Sequence, residues 1–152
     1  MHQLFKKADG LSRDIIGAAI EVHREFGPGL IENIYEDSIC HEFDLRSIAY
    51  KRQMPVPVFY KGVRVSDDLR LDLIVEDKVI LDLKAKELVT PYDKAKVLSY
   101  LKLCDLRLGL IINFHEVLLK NGIKRIENGK TNRLHRISPR NPRRPRAAGT
   151  RA

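Results

Sequence analysis

Three charged side chains, Asp72, Asp82 and Lys84, interrupt a strongly apolar stretch: Leu69-Arg70-Leu71-Asp72-Leu73-Ile74-Val75-Glu76-Asp77-Lys78-Val79-Ile80-Leu81-Asp82-Leu83-Lys84. Two β-rich runs flank the polar Glu76-Asp77-Lys78, a pattern that predicts two antiparallel strands joined by a tight turn. Side chains alternate along a strand, so Asp82 and Lys84, two apart, share a face. With the turn centred on Asp77, Asp72 falls opposite Asp82, and facing cross-strand residues have Cβ atoms about 4.5–5.5 Å apart. A turn slipped by one residue would send Asp72 to the other face, so the register decides the site.

Buried charge is expensive unless it is paired or binds a metal. Two carboxylates this close repel, and one takes up a proton unless a cation holds both ionised. Mg²⁺ suits such a pair, being a hard ion satisfied by one or two carboxylates plus waters and phosphate oxygens. Lys84 would then stabilise charge developing on a phosphoryl group or orient an attacking water. The spacing is equally compatible with a buried Asp–Lys ion pair, with Asp72 at the sheet edge. Both readings stand on the residues alone.

The elements that must position this patch follow from hydrophobic period. Leu11, Ile15, Ile16, Ala19, Ile20, Val22 and Phe26 recur at helical spacing, predicting a helix over 11–26 capped by Asp9 or Ser12. Gly27-Pro28-Gly29 ends it. A second helix is expected over 31–45, with Ile31, Ile34, Tyr35, Ile39 and Phe43 as its apolar stripe. Glu32, three residues before Tyr35, lies near one edge of that stripe. It is either a first-turn acid favoured by the helix dipole or a site residue, and Tyr35 reads as core. Pro55-Val56-Pro57-Val58-Phe59-Tyr60 suits an edge strand, where missing donors do little harm. Lys61-Gly62 turns it into Val63-Arg64-Val65, and Ser66-Asp67-Asp68 leads to the central hairpin.

Thr90-Pro91 starts a helix over 92–103, with Ala95, Leu98, Leu101 and Tyr100 inward and Lys94, Lys96 and Lys102 as a basic edge. Residues 107–114 form a buried strand, and Asn121-Gly122 signals a closing hairpin between 117–120 and 123–126. The predicted order is α-α-β-β-β-α-β plus a small terminal hairpin.

The totals fit one domain of 152 residues, 43% apolar and 32% charged. No apolar run approaches the roughly 18 residues a membrane span needs. Residues 1–7 lack the apolar core of a secretory signal, and the two cysteines, Cys40 and Cys104, show no metal-ligand spacing. A cytoplasmic protein is therefore expected. The net charge of +8 is uneven. Seven of the 28 basic residues are arginines in 131–152, a segment without acids, which leaves 21 basic against 20 acidic residues in 1–130. That Arg- and Pro-rich tail is too poor in apolar residues to fold. Its Arg143, Arg144 and Arg146 either bind nucleic-acid phosphates or belong to a passive extension. Other chemistries fail on spacing: there is no His-Glu-x-x-His, no phosphate-binding glycine loop and no Gly-x-Ser-x-Gly elbow. His23 and His41 read as helix-surface residues.

The run Ile16-Gly17-Ala18-Ala19-Ile20-Glu21-Val22-His23-Arg24-Glu25-Phe26-Gly27-Pro28-Gly29-Leu30-Ile31-Glu32-Asn33-Ile34-Tyr35-Glu36 resembles the signature of the GxxExxY proteins, with Gly29, Glu32 and Tyr35 at the named positions. The resemblance continues through Pro55-Val56-Pro57-Val58, the Asp72 hairpin, Asp82-Leu83-Lys84, Ser99-Tyr100-Leu101-Lys102 and Gly109-Leu110-Ile111-Ile112-Asn113-Phe114, covering about the first 128 residues. That family is placed in the PD-(D/E)XK nuclease-like superfamily. The resemblance implies an α/β fold with a restriction-endonuclease-like core, α-β-β-β-α-β, a mixed sheet flanked by helices, with an extra N-terminal helix. It implies a nuclease-like domain over 1–130, followed by the 131–152 tail.

By the same resemblance Asp72 takes the place of the first motif acid, with Leu71 where proline would stand. Asp82 and Lys84 take the (D/E)XK places, and Glu32 resembles the helix acid that some members add to the metal site. The implied activity is Mg²⁺- or Mn²⁺-dependent phosphodiester hydrolysis, on DNA more than RNA. Asp72, Asp82 and Glu32 would hold the metal, and Glu32, Asp72, Asp82 and Lys84 would form the catalytic set. One block departs from the family: where members read His-x-Ala-Gln, this chain has Asp93-Lys94-Ala95-Lys96. A lysine at the glutamine position would meet a phosphate, as would Lys94, or compete with the metal. An inactive nucleic-acid- or partner-binding module on the same fold is therefore the alternative, and a structural adaptor built on an internal ion-pair network is a third, weaker reading.

Overall fold

The apolar residues of the central hairpin belong to two different cores, one on each side of a single sheet. The computed structural model describes residues 2–129, so Arg143, Arg144, Arg146 and the rest of the tail lie outside the described residues. The elements are α1 (His2–Phe26), α2 (Glu32–Leu45), β1 (Tyr50–Tyr60), β2 (Val63–Val75), β3 (Val79–Lys84), α3 (Pro91–Cys104), β4 (Leu108–Asn113), a 3₁₀ turn (Leu119–Gly122) and β5 (Ile123–Glu127). The five strands lie in the order β1-β2-β3-β4-β5. Only the β3–β4 pair is parallel, and α3 makes the crossover that a parallel pair requires.

On one face Leu73, Val75, Leu81, Leu83, Leu110 and Ile112 pack against the helices α1 and α2. On the other, Ile74, Ile80 and Ile111 meet Val97 and Leu101 of α3. β3, β4 and the inner end of β2 thus bury both sides, which explains why the hairpin reads as nearly continuous apolar sequence. β4 is buried at all six positions. Among the described residues no helix is long and apolar enough to cross a membrane.

The order of elements matches the expectation; several local readings do not. Helix α1 begins at His2 rather than near Leu11, so Asp9 and Ser12 stand within the helix and not at its N-terminus. The apolar period starts only where the helix meets the sheet, and helical backbone continues before it. In α2, Ile31 and Ile34 are exposed while Glu36 is buried, because Arg52 of β1 reaches over to donate to the Glu36 carboxylate. The link 66–68 is part of one thirteen-residue strand β2.

Helix α3 buries Asp93, Val97 and Leu101, not Ala95 and Leu98, since a capped aspartate occupies the inward position of its first turn. His23 is half-buried, its Nε2 2.8 Å from the Glu116 carbonyl oxygen. The Asn121-Gly122 hairpin is absent. Gly122 ends a 3₁₀ turn, and a Cβ there would land on the Asn113 carbonyl oxygen. That glycine serves close approach to β4, not a left-handed turn.

Candidate active site

The hairpin turn has Glu76 and Asp77 both in the left-handed region (φ 55° each), and Lys78 N–H donates to the Val75 carbonyl at 3.0 Å. It sets Val75 opposite Val79, Ile74 opposite Ile80 and Leu73 opposite Leu81. One step further along that register Asp72 faces Asp82. There the ladder stops and the strands part. The Leu83 N–H, which continued pairing would direct to β2 backbone, donates instead to Asp72 Oδ2 at 3.3 Å. A backbone donor left without a partner inside a sheet is costly, and the carboxylate takes it up. The fork between β2 and β3 thus creates the site and fixes one of its acids.

Asp82 is buried and, among the described residues, none donates a hydrogen bond to its Oδ2, although Lys84 Nζ stands 3.5 Å away as an ion pair. Burial, and then the hydrogen bond and like charge of Asp82, push the Asp72 carboxyl up to about 6, against the pull of the Leu83 N–H and Lys84. Burial works to lower the Lys84 ammonium. The carboxylates of Asp82, Asp93, Glu32 and Asp72 outweigh it and hold the proton more tightly than usual. Glu32, the first residue of α2, is raised by burial and then by Asp72, while Lys84 and Lys96 pull the other way. Asp72 and Asp82 share with Arg70, Lys96 and Tyr100 the lining of one small pocket that opens to solvent. The Lys96 ammonium lies 5.8 Å from the Tyr100 ring centre.

The structure therefore brings Asp72, Asp82, Lys84 and Lys96 together, with Glu32 within range of their charge. It does not gather Glu32, Asp72 and Asp82 into a cage. Among the described residues no three histidine, cysteine or acidic side chains cluster as a metal site. Lys94 is exposed, and it does not line the pocket. Gly29 and Tyr35 do structural work. Gly29 has φ 109°, which only glycine adopts freely, and the Tyr35 hydroxyl ties down the same reversal by donating to the Gly27 carbonyl (2.5 Å) and accepting from Leu30 N–H (3.2 Å). The Tyr35 ring stacks on Phe114 at 4.4 Å. This clasp holds the start of α2, and hence Glu32, at the edge of the site.

Sequence reasoning missed two residues. Arg70 lies two positions before Asp72 on β2, so the period of two was signal enough. Asp93 is buried, and its Oδ2 accepts from Thr90 N–H (2.8 Å) and the Thr90 hydroxyl (3.1 Å) and pairs with Lys86 Nζ (2.6 Å); its Oδ1 is 4.0 Å from Lys84 Nζ. Burial opposes its ionisation, yet Lys86 and Thr90 hold it at about 2. Its signal was the Thr90-x-x-Asp93 spacing of a capping box. Across the strand end, the Asn113 side chain donates to the Lys86 carbonyl (2.7 Å) and accepts from its N–H (3.1 Å), which fixes the segment that carries both lysines.

A family model described as the PD-(D/E)XK nuclease superfamily matches residues 9–126. The chain belongs to that superfamily. Its helices and mixed sheet are those of the restriction-endonuclease-like α/β fold, and Asp72, Asp82 and Lys84 stand inside the matched span. Neither the curated proteins nor the solved structures give a match. Members of this superfamily typically use divalent metals, and a nuclease-like function on a nucleic-acid substrate follows at that level.

Proposed function

We propose that the chain is a nuclease of the GxxExxY type that hydrolyses phosphodiester bonds, in DNA more than in RNA, with Mg²⁺ or Mn²⁺ as its cofactor. One observation carries this reading: two facing carboxylates at a strand fork, one with a buried oxygen that accepts no hydrogen bond, beside an ammonium 3.5 Å away. Leaving a buried acceptor unsatisfied costs about 1–3 kcal/mol, and a hard cation answers that need. The donors fit Mg²⁺, which takes one or two carboxylates and completes its shell with water and phosphate oxygens. Asp72 and Asp82 would hold the ion, and Glu32 would add charge beyond them. A bound divalent ion supplies Lewis-acid polarisation of a phosphoryl oxygen and a water of lowered pKa.

The other roles fall to the chain's own side chains. Lys84, its proton held firmly by surrounding carboxylates, meets the charge that develops on the phosphate. Asp93 and Asp82 both lie within ion-pair range of Lys84, and Asp93 keeps Lys86 close by. Lys96 and Arg70, on the pocket lining, bind the substrate's phosphates. The low cysteine content suits a cytoplasmic enzyme.

Lys96 also favours a second reading, a binding module without turnover, because its ammonium shares the pocket with the two acids and competes with a cation for them. Cleavage of a mixed DNA panel with Mg²⁺ or Mn²⁺ separates the two. The parent should cut, Lys84→Ala should not, and binding in chelator should weaken only modestly in that variant, since Lys84 acts on transition-state charge. Lys96→Gln should raise activity. If the parent cuts nothing with either ion and Lys96→Gln is silent as well, the binding module takes over.

A further inference from the structure

β1 and β2 remain paired well past the body of the sheet. Their register runs from Tyr50↔Val75 to Tyr60↔Val63, whereas β3 accompanies β2 only over Leu73, Ile74 and Val75. Inside this ribbon Val56, Leu71 and partly buried Met54 and Leu69 pack beneath α3. Beyond them the tip carries side chains that no core covers: Phe59, Tyr60, Val63 and Val65 are 51–63% exposed. Two cations lie over its rings, Lys61 Nζ 5.3 Å from the Tyr60 centroid and the Arg64 guanidinium 6.0 Å from Phe59. Arg64 also pairs with Asp67, an exposed contact that contributes little and is readily exchanged for a phosphate.

Self-association is the first occupant to weigh, and the tip is poorly built for it. The free edge of β1 is broken by Pro55 and Pro57, by Gln53 at φ 50° and by register shifts on either side of Val58, all of which block strand addition. Four half-exposed side chains offer a few hundred Å², short of the roughly 800 Å² per partner of a stable interface. Aromatic rings interleaved with cations on a narrow, two-stranded ribbon match a different surface. The major groove of B-DNA, about 12 Å wide, admits such a ribbon, while the deep, narrow major groove of A-form RNA does not.

We propose that the tip, residues 59–65, is a docking arm for duplex DNA, entering the major groove about one helical turn from the bond addressed by the Asp72–Asp82 pair. The spacing follows from β2 itself: Val63 precedes Asp72 by nine residues on one strand, about 30 Å at the usual rise, close to the 34–36 Å of a helical turn. The location of that bond rests on the nuclease reading above; the arm itself does not. Its attachment to the site strand makes duplex DNA the substrate class and makes length on one side of the bond a requirement.

The test measures binding of the full chain in chelator, by fluorescence anisotropy, to DNA duplexes of about 8 and about 24 base pairs, shorter and longer than one turn, and to a duplex RNA. The variant is Y60A/K61A/R64A, three exposed positions whose fold is checked by circular dichroism. Relative to the variant, the parent should bind the long DNA about tenfold or more tightly, with no difference on the short DNA or on RNA. Its salt slope on long DNA should be steeper by roughly two, at about 0.9 per lost phosphate contact. Equal binding by parent and variant on long DNA overturns the proposal, as does a parent that binds no DNA. So does a parent that dimerises in sedimentation while the variant does not, which would make the tip a self-association surface. Arm-dependent binding by a parent that never cleaves would sustain the arm and refute the nuclease reading; cleavage with arm-independent binding would do the reverse.

Discussion

Asp72→Asn should make the metal-free protein more stable at neutral pH, although it removes a proposed metal ligand. An unfolded chain ionises this carboxyl near its ordinary value of 3.8, whereas in the fold burial and the adjacent Asp82 raise it to about 6. Below about pH 4 both states keep the proton and nothing is lost. As pH rises toward 6 the unfolded chain releases it while the folded chain retains it, so stability falls; the loss is complete above about pH 7. At about 1.4 kcal/mol per pKa unit the full effect is about 3 kcal/mol, and solvent screening at this partly open carboxyl reduces it to about 1–2 kcal/mol. The asparagine oxygen can still accept from Leu83 N–H, so the strand fork survives the change. Urea unfolding in chelator at pH 4 and pH 8 measures both limbs. The variant should gain at pH 8 and approach the parent at pH 4. Mg²⁺ should erase its advantage at pH 8 by stabilising the parent alone. An equal loss of stability at both pH values would show that Asp72 is a net stabilising contact and would refute the reasoning.

Asp93→Asn should lose about 1.5–3 kcal/mol at pH 7, the worth of hydrogen bonds to a charged group, because the Lys86 pair goes while a cap acceptor remains. Asp93 is held at about 2, so its contribution is present above the ordinary 3.8 and fades as pH falls through 2; the variant's acid limb in urea unfolding should be flatter. Gly122→Ala should cost roughly 1–3 kcal/mol by overpacking against the Asn113 carbonyl, which a thermal melt would register. An unchanged melting temperature would mean that the 3₁₀ turn yields freely.

What the sequence disclosed most fully was the part whose physics is local. Hairpin register follows from the period of two and from a turn that aspartate tolerates, so the facing of Asp72 and Asp82 could be read in advance. Pro55 and Pro57 announced the edge strand, and β4 announced its burial. Tertiary context decided the rest. Apolar residues lie on both sides of α3, and the side that turns inward is the one where Val97 and Leu101 meet the sheet and Asp93 lodges beneath its cap with Lys86 and Lys84 as partners. Asn-Gly is a hairpin signal until another strand needs the glycine for clearance. The fork itself was hidden, because a side chain that replaces a ladder bond leaves no mark in a hydrophobic pattern.

That fork bears on why the site exists. A network serving stability alone would tend to match its charges or replace them by apolar residues, since buried ion pairs seldom outperform well-packed hydrophobic ones. Around Lys84 four carboxylates, Asp72, Asp82, Glu32 and Asp93, are felt together. Lys86 and the Thr90 cap satisfy Asp93, and the Leu83 N–H partly satisfies Asp72. Asp82 keeps an oxygen that accepts no hydrogen bond, and it lies where the ladder opens toward the pocket. The unsatisfied carboxylate oxygen thus lies where the sheet opens to the pocket, and the same strand that carries Asp72 runs on to the tip at 59–65. The unsatisfied Asp82 oxygen and the exposed tip side chains lower the stability of the isolated fold, and on the proposed readings a cation at Asp82 and a duplex on the ribbon account for them.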